Sequence, residues 1–252
     1  MLKIANTTKN ESGDNIMDTD CIGHTNFRRF IVLSRSRTGS NMLISFLNSH
    51  SNVHAKGEIF NRLNGRNYKE IFAKVYAQQP FHIKARGFKI FYSHPLDDKS
   101  DDVWDNLISM DNLWVIHLKR RNILRTLISR KIAGLQDVWS VSSDKSKIND
   151  RNKTIVFTVE KLNKGFEQTK EWENSGDEKF KKHPLISVYY EDLVNNPEGT
   201  FGNITDFLDV KYEPPKTILR KQNPERLRDL VTNYSELKKA FSGTQWQEFF
   251  EE

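Results

Sequence analysis

The sequence has little of what secreted and membrane proteins depend on. Its 252 residues include one cysteine, Cys21, which excludes an internal disulfide of the kind common in oxidising compartments. The N-terminal residues lack the apolar core of a secretory signal, and no apolar stretch is long enough to span a bilayer. We therefore expect a bacterial or viral protein that works in a reducing cytoplasm and is not inserted into membranes. A catalytic segment cut from a membrane-anchored parent is the alternative.

Signatures of several phosphate-binding protein classes are also absent. The sequence has no zinc-ligand spacing, RNP-like aromatic pattern or recognition-helix signature. It also lacks the G-x-x-x-x-G-K-[ST] loop that holds ATP with magnesium. The formal net charge of +6 nevertheless indicates attraction to anions. A basic nucleic-acid-binding protein and a P-loop nucleotide kinase are the alternative functions.

The pattern of apolar residues predicts an α/β fold. Strand-like runs at 30–33, 88–92, 113–118, 154–158 and 185–190 alternate with amphipathic segments, and residues 159–182 are predicted to form a long helix. This alternation is typical of a central parallel sheet flanked by helices, whose sites lie at the carboxyl ends of the strands. We predict a single domain over residues 27–252. The polar residues 1–26 have no apolar periodicity and are predicted to form a flexible N-terminal arm.

The first strand-like run, 30–33, leads into the turn Ser-Arg-Ser-Arg-Thr-Gly-Ser-Asn and then into an amphipathic helix. A helix start leaves backbone N–H groups unpaired, and these can bind an anion. Gly39 lets the backbone approach a phosphate closely, Ser40 and Asn41 offer side-chain donors, and Arg37 adds a permanent cation. The pattern predicts a phosphate-binding turn, with an ordinary capped loop as the alternative.

A second cationic element follows the strand-like run at 113–118. Arg121 precedes a predicted helix that Asn122 could cap, and Ser129 lies two turns inside that helix. Both side chains can reach one phosphate only if Arg121 folds back over the helix, since eight helical residues rise roughly 12 Å. A solvated basic rim at the end of the strand is the alternative.

These elements resemble motifs of the sulfotransferases that use 3′-phosphoadenosine 5′-phosphosulfate (PAPS). The turn is similar to their 5′-phosphosulfate loop, and Arg121 with Ser129, eight residues apart, is similar to their 3′-phosphate motif. A third segment, Tyr-Glu-Asp-Leu beginning at Tyr190, continues into Asn-Pro and Phe-Leu as in the same family. Order and spacing agree over about residues 28–210. The turn resembles most closely the branch that acts on carbohydrates, including nodulation-factor enzymes.

The resemblance implies a P-loop NTPase-like sulfotransferase fold with PAPS as co-substrate and no metal. It implies that the enzyme transfers the sulfuryl group in line to a hydroxyl of a small-molecule or glycan acceptor, most closely a carbohydrate or glycolipid. Tyr190 would lie near the adenine, and Lys221 matches a basic segment over the 3′-phosphate only loosely. The residues implied in donor binding are Arg35, Ser36, Arg37, Thr38, Gly39, Ser40, Asn41, Arg121, Ser129, Tyr190 and Lys221.

The same resemblance suggests three catalytic residues. Arg37 stands where most of the family has a lysine, and it would stabilise the leaving phosphate electrostatically, because arginine does not give up its proton near neutral pH. The acceptor hydroxyl needs a base, for which Glu58 is favoured and His94 is the alternative. Lys89 could support the site. Acceptor specificity is expected to lie in the loops around residues 61–79 and 140–153. The acceptor's identity and the oligomeric state cannot be inferred from the sequence.

Overall fold

A computed structural model of the chain describes residues 23–136, 154–217 and 225–251. Within these residues a five-stranded, fully parallel sheet has the strand order β2-β3-β1-β4-β5. The predicted central parallel sheet is confirmed. The strands are β1 (Arg28–Ser34), β2 (Val53–Lys56), β3 (Ala85–Phe91), β4 (Leu113–Lys119) and β5 (Leu185–Tyr189).

Helices cover both faces of the sheet. On one face, α1, α6 and α7 pack against Phe30 and Val32, whereas α2 and α3 pack on the opposite face against Ile31 and Leu33. A third apolar cluster joins α4 and α5 to the C-terminal helices. The helices are α1 (Ser40–Ser49), α2 (Tyr68–Val75), α3 (Asp102–Ile108), α4 (Ile123–Gln136), α5 (Val159–Lys179), α6 (Tyr190–Asn195), α7 (Pro197–Phe207), α8 (Leu227–Leu230), α9 (Tyr234–Ala240) and a final 3-10 helix, Gln247–Phe250.

Two features of the sheet differ from the prediction. The run at 154–158 is not a strand: Ile155 forms only an isolated bridge with Val231, and its side chain packs in the third apolar cluster. Conversely, β2 was not predicted as a strand, because its four residues are too few for alternation to stand out. It extends the sheet beside β3.

The strand order places the functional edge. Because all five strands are parallel, their carboxyl ends meet at one edge. From β1 the chain crosses over to β2 and β3 on one side and later to β4 and β5 on the other, so the strand order reverses at β1. Ligands of open α/β sheets bind at such a reversal point. The turn after β1 is therefore at the expected position for a binding site.

Close strand packing yields a first prediction, for Gly87→Ala. Gly87 pairs with Phe30, and a Cβ added to Gly87 would overlap the Phe30 carbonyl oxygen. Backbone in the sheet centre cannot yield easily, so we expect a loss of about 1–3 kcal/mol in the free energy of unfolding, measured by urea denaturation. Gly57→Ala is the control, because a Cβ there meets nothing within 4 Å. Equal losses in the two variants would contradict the prediction.

Candidate functional site

The turn between β1 and α1 is held in an unusual backbone conformation. Arg37 has a φ of 71° and Gly39 a φ of 90°, both in the left-handed region that ordinary residues avoid. The hydroxyl of Thr38 donates to the carbonyl of Arg35 at 2.6 Å, which closes the turn. With the helix beginning at Ser40, the N-terminal amide groups of α1 lie at the carboxyl end of β1. The arrangement matches the predicted strand, turn and helix.

The cationic side chains of the turn point in different directions. The guanidinium of Arg35 lies against α5, where it donates to the hydroxyl of Thr169 and lies 5.2 Å from the Trp172 ring centroid. Burial lowers the pKa of Arg35 to about 10. The Nε of Arg37 instead donates to the hydroxyl of Ser129 at 3.0 Å, and burial lowers its pKa too. The structure thus joins Arg37 to Ser129, two predicted residues 92 positions apart.

The side chain of Arg121 contacts the end of β5 and the start of α6. Its Nη1 and Nη2 donate to the two carboxylate oxygens of Asp192 at 2.7 and 2.8 Å, and the guanidinium carbon lies 4.2 Å from the Tyr189 ring centroid. The hydrogen bonds that Arg121 donates to Asp192 raise the pKa of Arg121. Arg121 therefore faces α6 while Ser129 faces the turn. Their joint contact with a 3′-phosphate stays a prediction.

Tyr190 packs directly on the turn. A Cβ added to Gly39 would overlap the ring of Tyr190, so glycine is required here by both its φ and the available space. The guanidinium carbon of Arg120 lies 4.4 Å from the centroid of the same ring. Tyr190 is the first residue of α6, not the last of a strand as predicted. Its position near an adenine stays a prediction.

The two candidate bases meet beside the start of α1. The Nζ of Lys89 lies 2.9 Å from Glu58 Oε1 and also donates to the side-chain oxygen of Asn41. The Nε2 of His94 lies 3.8 Å from the other oxygen of Glu58. Lys89 and His94 are buried, whereas the Glu58 side chain is 31% exposed. Glu58 is therefore the member of this cluster that a substrate can reach most readily.

Hydrogen bonding fixes the proton on His94. Its Nδ1 accepts the backbone N–H of Phe91 at 3.3 Å. Burial is the main cause that lowers the pKa of His94 to about 4, so the imidazole is neutral near pH 7. A neutral imidazole that accepts at Nδ1 carries its proton on Nε2. The face of His94 toward Glu58 is thus a hydrogen-bond donor, which suits a partner of a carboxylate better than a base.

A second network of polar side chains lies on the opposite face of the sheet and was not predicted from the sequence. The Tyr92 hydroxyl lies 2.6 Å from His117 Nε2, and His117 Nδ1 lies 2.7 Å from Asp177. Lys119 donates to the other carboxylate oxygen of Asp177 at 2.6 Å. The only local sign of this network in the sequence is that His117 and Lys119, two residues apart, point to the same face of β4. Asp177 comes from α5, 60 residues away, so its contact could not be inferred from spacing.

The side-chain network around His117 makes the free energy of unfolding sensitive to acid. Burial, followed by the nearby charge of Lys119, lowers the pKa of His117 to about 4 from an unfolded value near 6.5. Between these pH values the unfolded chain binds a proton that the folded chain does not. We therefore expect the free energy of unfolding to fall as the pH decreases from about 6.5 to about 4, by on the order of 3 kcal/mol from this histidine.

Urea unfolding at a series of pH values checks this expectation. His117→Gln should reduce the slope of the pH dependence between about 6.5 and 4 and leave the part that His94 contributes, because burial also lowers the pKa of His94 to about 4. If the slope of His117→Gln equals that of the wild type, the proposed origin of the acid sensitivity is wrong.

Some predicted positions lie outside the described residues, namely Cys21, Lys221, residues 140–153 and most of the arm 1–26. Residues 61–79, predicted with 140–153 to determine acceptor specificity, are described and include α2. In the part of the chain that the structure describes, no helix is both long and apolar enough to cross a membrane. Over the same ranges, no cluster of three or more histidine, cysteine or acidic side chains is arranged to hold a metal ion.

Comparison with known proteins identifies relatives for most of the chain. Residues 111–214 match the model of the Sulfotransferase family. Nodulation protein H of Rhizobium tropici is 25% identical over 245 residues, covering 88% of this chain and 92% of that protein. Nodulation protein H of Rhizobium meliloti (strain 1021) is 25% identical over 238 residues, covering 88% and 94%.

A solved structure shares the fold. The sulfotransferase from Alicyclobacillus acidocaldarius is similar with a TM-score of 0.51 and 14% identity, over 84% of this chain and 90% of that one. At this identity the likeness concerns architecture alone. It confirms the α/β sulfotransferase fold that the sequence motifs predict.

Proposed function

We propose that this chain is a sulfotransferase that transfers the sulfuryl group of PAPS to a hydroxyl of a carbohydrate or glycolipid. The observation that carries this proposal is the contact of the Glu58–Lys89 pair with Asn41, which lies in the first turn of α1 directly after the turn that holds Arg37. One side of the site offers cationic and N–H groups, and the other offers a carboxylate. In-line group transfer between two oxygens requires both.

The donor would bind with its 5′-phosphosulfate on the turn. The amide groups at the start of α1 and the cation of Arg37 favour an anion there, because charge builds up on the leaving phosphate during transfer. Ser129 holds the Arg37 guanidinium through its Nε, which fixes the direction of the cation. Arg37 stays protonated, so its role is electrostatic.

Glu58 would take the proton of the acceptor hydroxyl as the hydroxyl oxygen attacks sulfur. Its carboxylate is oriented by Lys89 on one oxygen and approached by His94 at the other. His94 presents an N–H rather than a lone pair to Glu58, which favours Glu58 as the base and gives His94 an orienting role. The bond from the sulfur to the bridging phosphate oxygen breaks as the new sulfur–oxygen bond forms. The products are a sulfate ester and adenosine 3′,5′-bisphosphate.

The carbohydrate acceptor is supported by the similarity of the turn to the carbohydrate branch of the family. Both relatives compared above are nodulation proteins, and their alignments cover nearly the whole chain. A glycan or glycolipid with a free hydroxyl is therefore the acceptor class we propose for this chain.

The arrangement of the basic residues argues against the nucleic-acid alternative. Arg35 and Arg120 are buried beside the turn, whereas cations that contact a phosphate backbone must lie on an accessible surface. A nucleotide kinase would require magnesium and ATP, and the sequence lacks the G-x-x-x-x-G-K-[ST] loop that holds them. Neither phosphoryl transfer from ATP nor salt-dependent binding of nucleic acid is expected.

The proposed function is tested by transfer of labelled sulfate from PAPS to a panel of oligosaccharides, glycolipids, phenols, amines and peptides, with and without magnesium. We expect label on a carbohydrate or glycolipid, independent of magnesium. Label only on phenols or amines would overturn the acceptor class. If no acceptor of the panel is labelled from PAPS, the proposed function is wrong.

The 3′-phosphate contact predicts the effect of Arg121→Ala. Loss of a charged, two-pronged contact is worth about 1.5–3 kcal/mol, so the dissociation constant of adenosine 3′,5′-bisphosphate should rise about 10- to 100-fold in calorimetric titration. Arg66→Ala removes an exposed arginine of the 61–67 loop and serves as the control. Unchanged affinity in Arg121→Ala would remove Arg121 from the donor site.

A further inference from the structure

Arg120 connects the phosphosulfate turn with the start of α4, although no motif singles it out. We infer that Arg120 is a positioning residue that presets the turn for donor binding. The effect of Arg120 on donor binding rests on the proposed function. The effect of Arg120 on the conformation of the turn concerns the free protein.

The first supporting contact lies on the strained residue of the turn. Arg120 Nη1 donates to the carbonyl oxygen of Arg37 at 3.2 Å, and Arg37 has the left-handed φ of 71°. A non-glycine residue needs tertiary contacts to hold this conformation. Because a peptide unit is planar, fixing the Arg37 carbonyl also fixes the opposite direction of the Thr38 N–H. Arg120 thereby sets the orientation of a backbone donor in the anion-binding turn.

The second contact runs through Tyr190. The guanidinium of Arg120 stacks on the Tyr190 ring, with 4.4 Å between its carbon and the ring centroid. The ring in turn occupies the space above Gly39, where a Cβ would overlap it. Arg120, Tyr190 and Gly39 therefore form three successive layers. The cation holds the ring, and the ring holds the second left-handed residue of the turn.

The third contact extends the connection to α4. Arg120 Nε lies 3.9 Å from the Glu191 carboxylate. The same carboxylate accepts the backbone N–H groups of Arg121 at 3.0 Å and Asn122 at 3.3 Å, just before α4 begins. Arg120 is buried, so these groups are packed together with little solvent between them. The turn and the segment that carries Arg121 are thus joined through one side chain.

The geometry requires a guanidinium rather than a positive charge alone. One planar group donates to the Arg37 carbonyl from Nη1 and stacks on Tyr190 with its face, while its Nε lies 3.9 Å from Glu191. A lysine ammonium is a point charge that cannot stack a planar face on a ring while donating from its edge. Substitution by lysine and by methionine should therefore have similar consequences.

The test compares Arg120→Met, Arg120→Lys and Arg28→Met. Arg28 lies at the opposite edge of the sheet, 4.6 Å from the Trp114 ring centroid and paired with Asp209, so Arg28→Met removes the same charge from a similar stacked pair. Titration with adenosine 3′,5′-bisphosphate should show about a tenfold or greater rise in dissociation constant for both Arg120 variants, and little change for Arg28→Met. Near-wild-type affinity in Arg120→Lys, with loss only in Arg120→Met, would reduce Arg120 to a nonspecific charge and overturn the inference.

Hydrogen exchange without ligand separates the inference from the proposed function. A peptide covering residues 34–42 should exchange faster in both Arg120 variants than in the wild type and Arg28→Met, while peptides of β1 and β4 keep their protection. Uniformly faster exchange would indicate a merely structural role and contradict the inference, as would unchanged exchange of the turn. If the wild-type protein does not bind the bisphosphate at all, the proposed function fails, yet the exchange result still decides the role of Arg120.

Discussion

Replacing Glu58 with glutamine is expected to lower the turnover number by about 10²- to 10⁴-fold, the usual contribution of a general base. Glutamine keeps the size of the side chain and can still contact Lys89, but it cannot accept the proton of an acceptor hydroxyl. The affinity for adenosine 3′,5′-bisphosphate should stay as in the wild type, because the carboxylate faces the acceptor in the proposed arrangement. Steady-state kinetics and calorimetric titration measure the two quantities separately.

Two further variants make the Glu58 result specific. Glu198→Gln carries the same chemical change at an exposed position in the first turn of α7 and should keep full turnover. His94→Gln should cost less than Glu58→Gln, because His94 orients the carboxylate without accepting the proton. If Glu58→Gln turns over at the wild-type rate while His94→Gln does not, the base is His94 and the assignment made here is wrong.

Replacing Arg37 with methionine is expected to lower turnover by about 10²- to 10³-fold, as loss of a preorganised group facing the developing charge does elsewhere. Donor affinity should fall as well, because the same cation faces the bound phosphate. Methionine and arginine meet the same backbone penalty at the left-handed φ, so the loss reports the guanidinium rather than the turn conformation. Rapid-quench measurement of a single turnover isolates the chemical step.

Arg37→Lys and Ser129→Ala refine this prediction. Lysine retains the charge and should recover part of the lost rate, whereas Ser129→Ala removes only the hydroxyl that accepts from Arg37 Nε and should cost less than Arg37→Met. Equal turnover of Arg37→Met and the wild type would place the leaving-group contact elsewhere in the protein.

Much of the fold could be predicted from the sequence because several elements have strong local patterns. The apolar run at 30–33 forms the core of β1, and the glycine at position 39 marks the turn that its φ of 90° requires. The helix predicted at 159–182 is observed as α5, Val159–Lys179. By contrast, the run at 154–158 has strand-forming residues but only Val231 as an isolated bridge partner. Propensity cannot reveal whether a neighbouring strand is available.

Motifs in the sequence indicate candidate site residues, but they cannot indicate which residues of distant elements meet. Glu58 and His94 were alternatives for one role, and the structure shows that they are neighbours with different hydrogen-bonding capacity. Arg120 could not be distinguished from the adjacent Lys119 and Arg121 by sequence, since burial and register decide which of them reaches the turn. The His117–Asp177 pair likewise depends on how α5 crosses the sheet.

The central claim is that two cationic pockets at one sheet edge hold the two phosphates of a single donor. A crystal structure of the protein with adenosine 3′,5′-bisphosphate tests it most directly. We predict the 5′-phosphate at the start of α1 against residues 37–41, and the 3′-phosphate within hydrogen-bond distance of Arg121 and Ser129. A nucleotide that leaves either pocket empty, or that places its 5′-phosphate away from Glu58 and Arg37, would contradict the account.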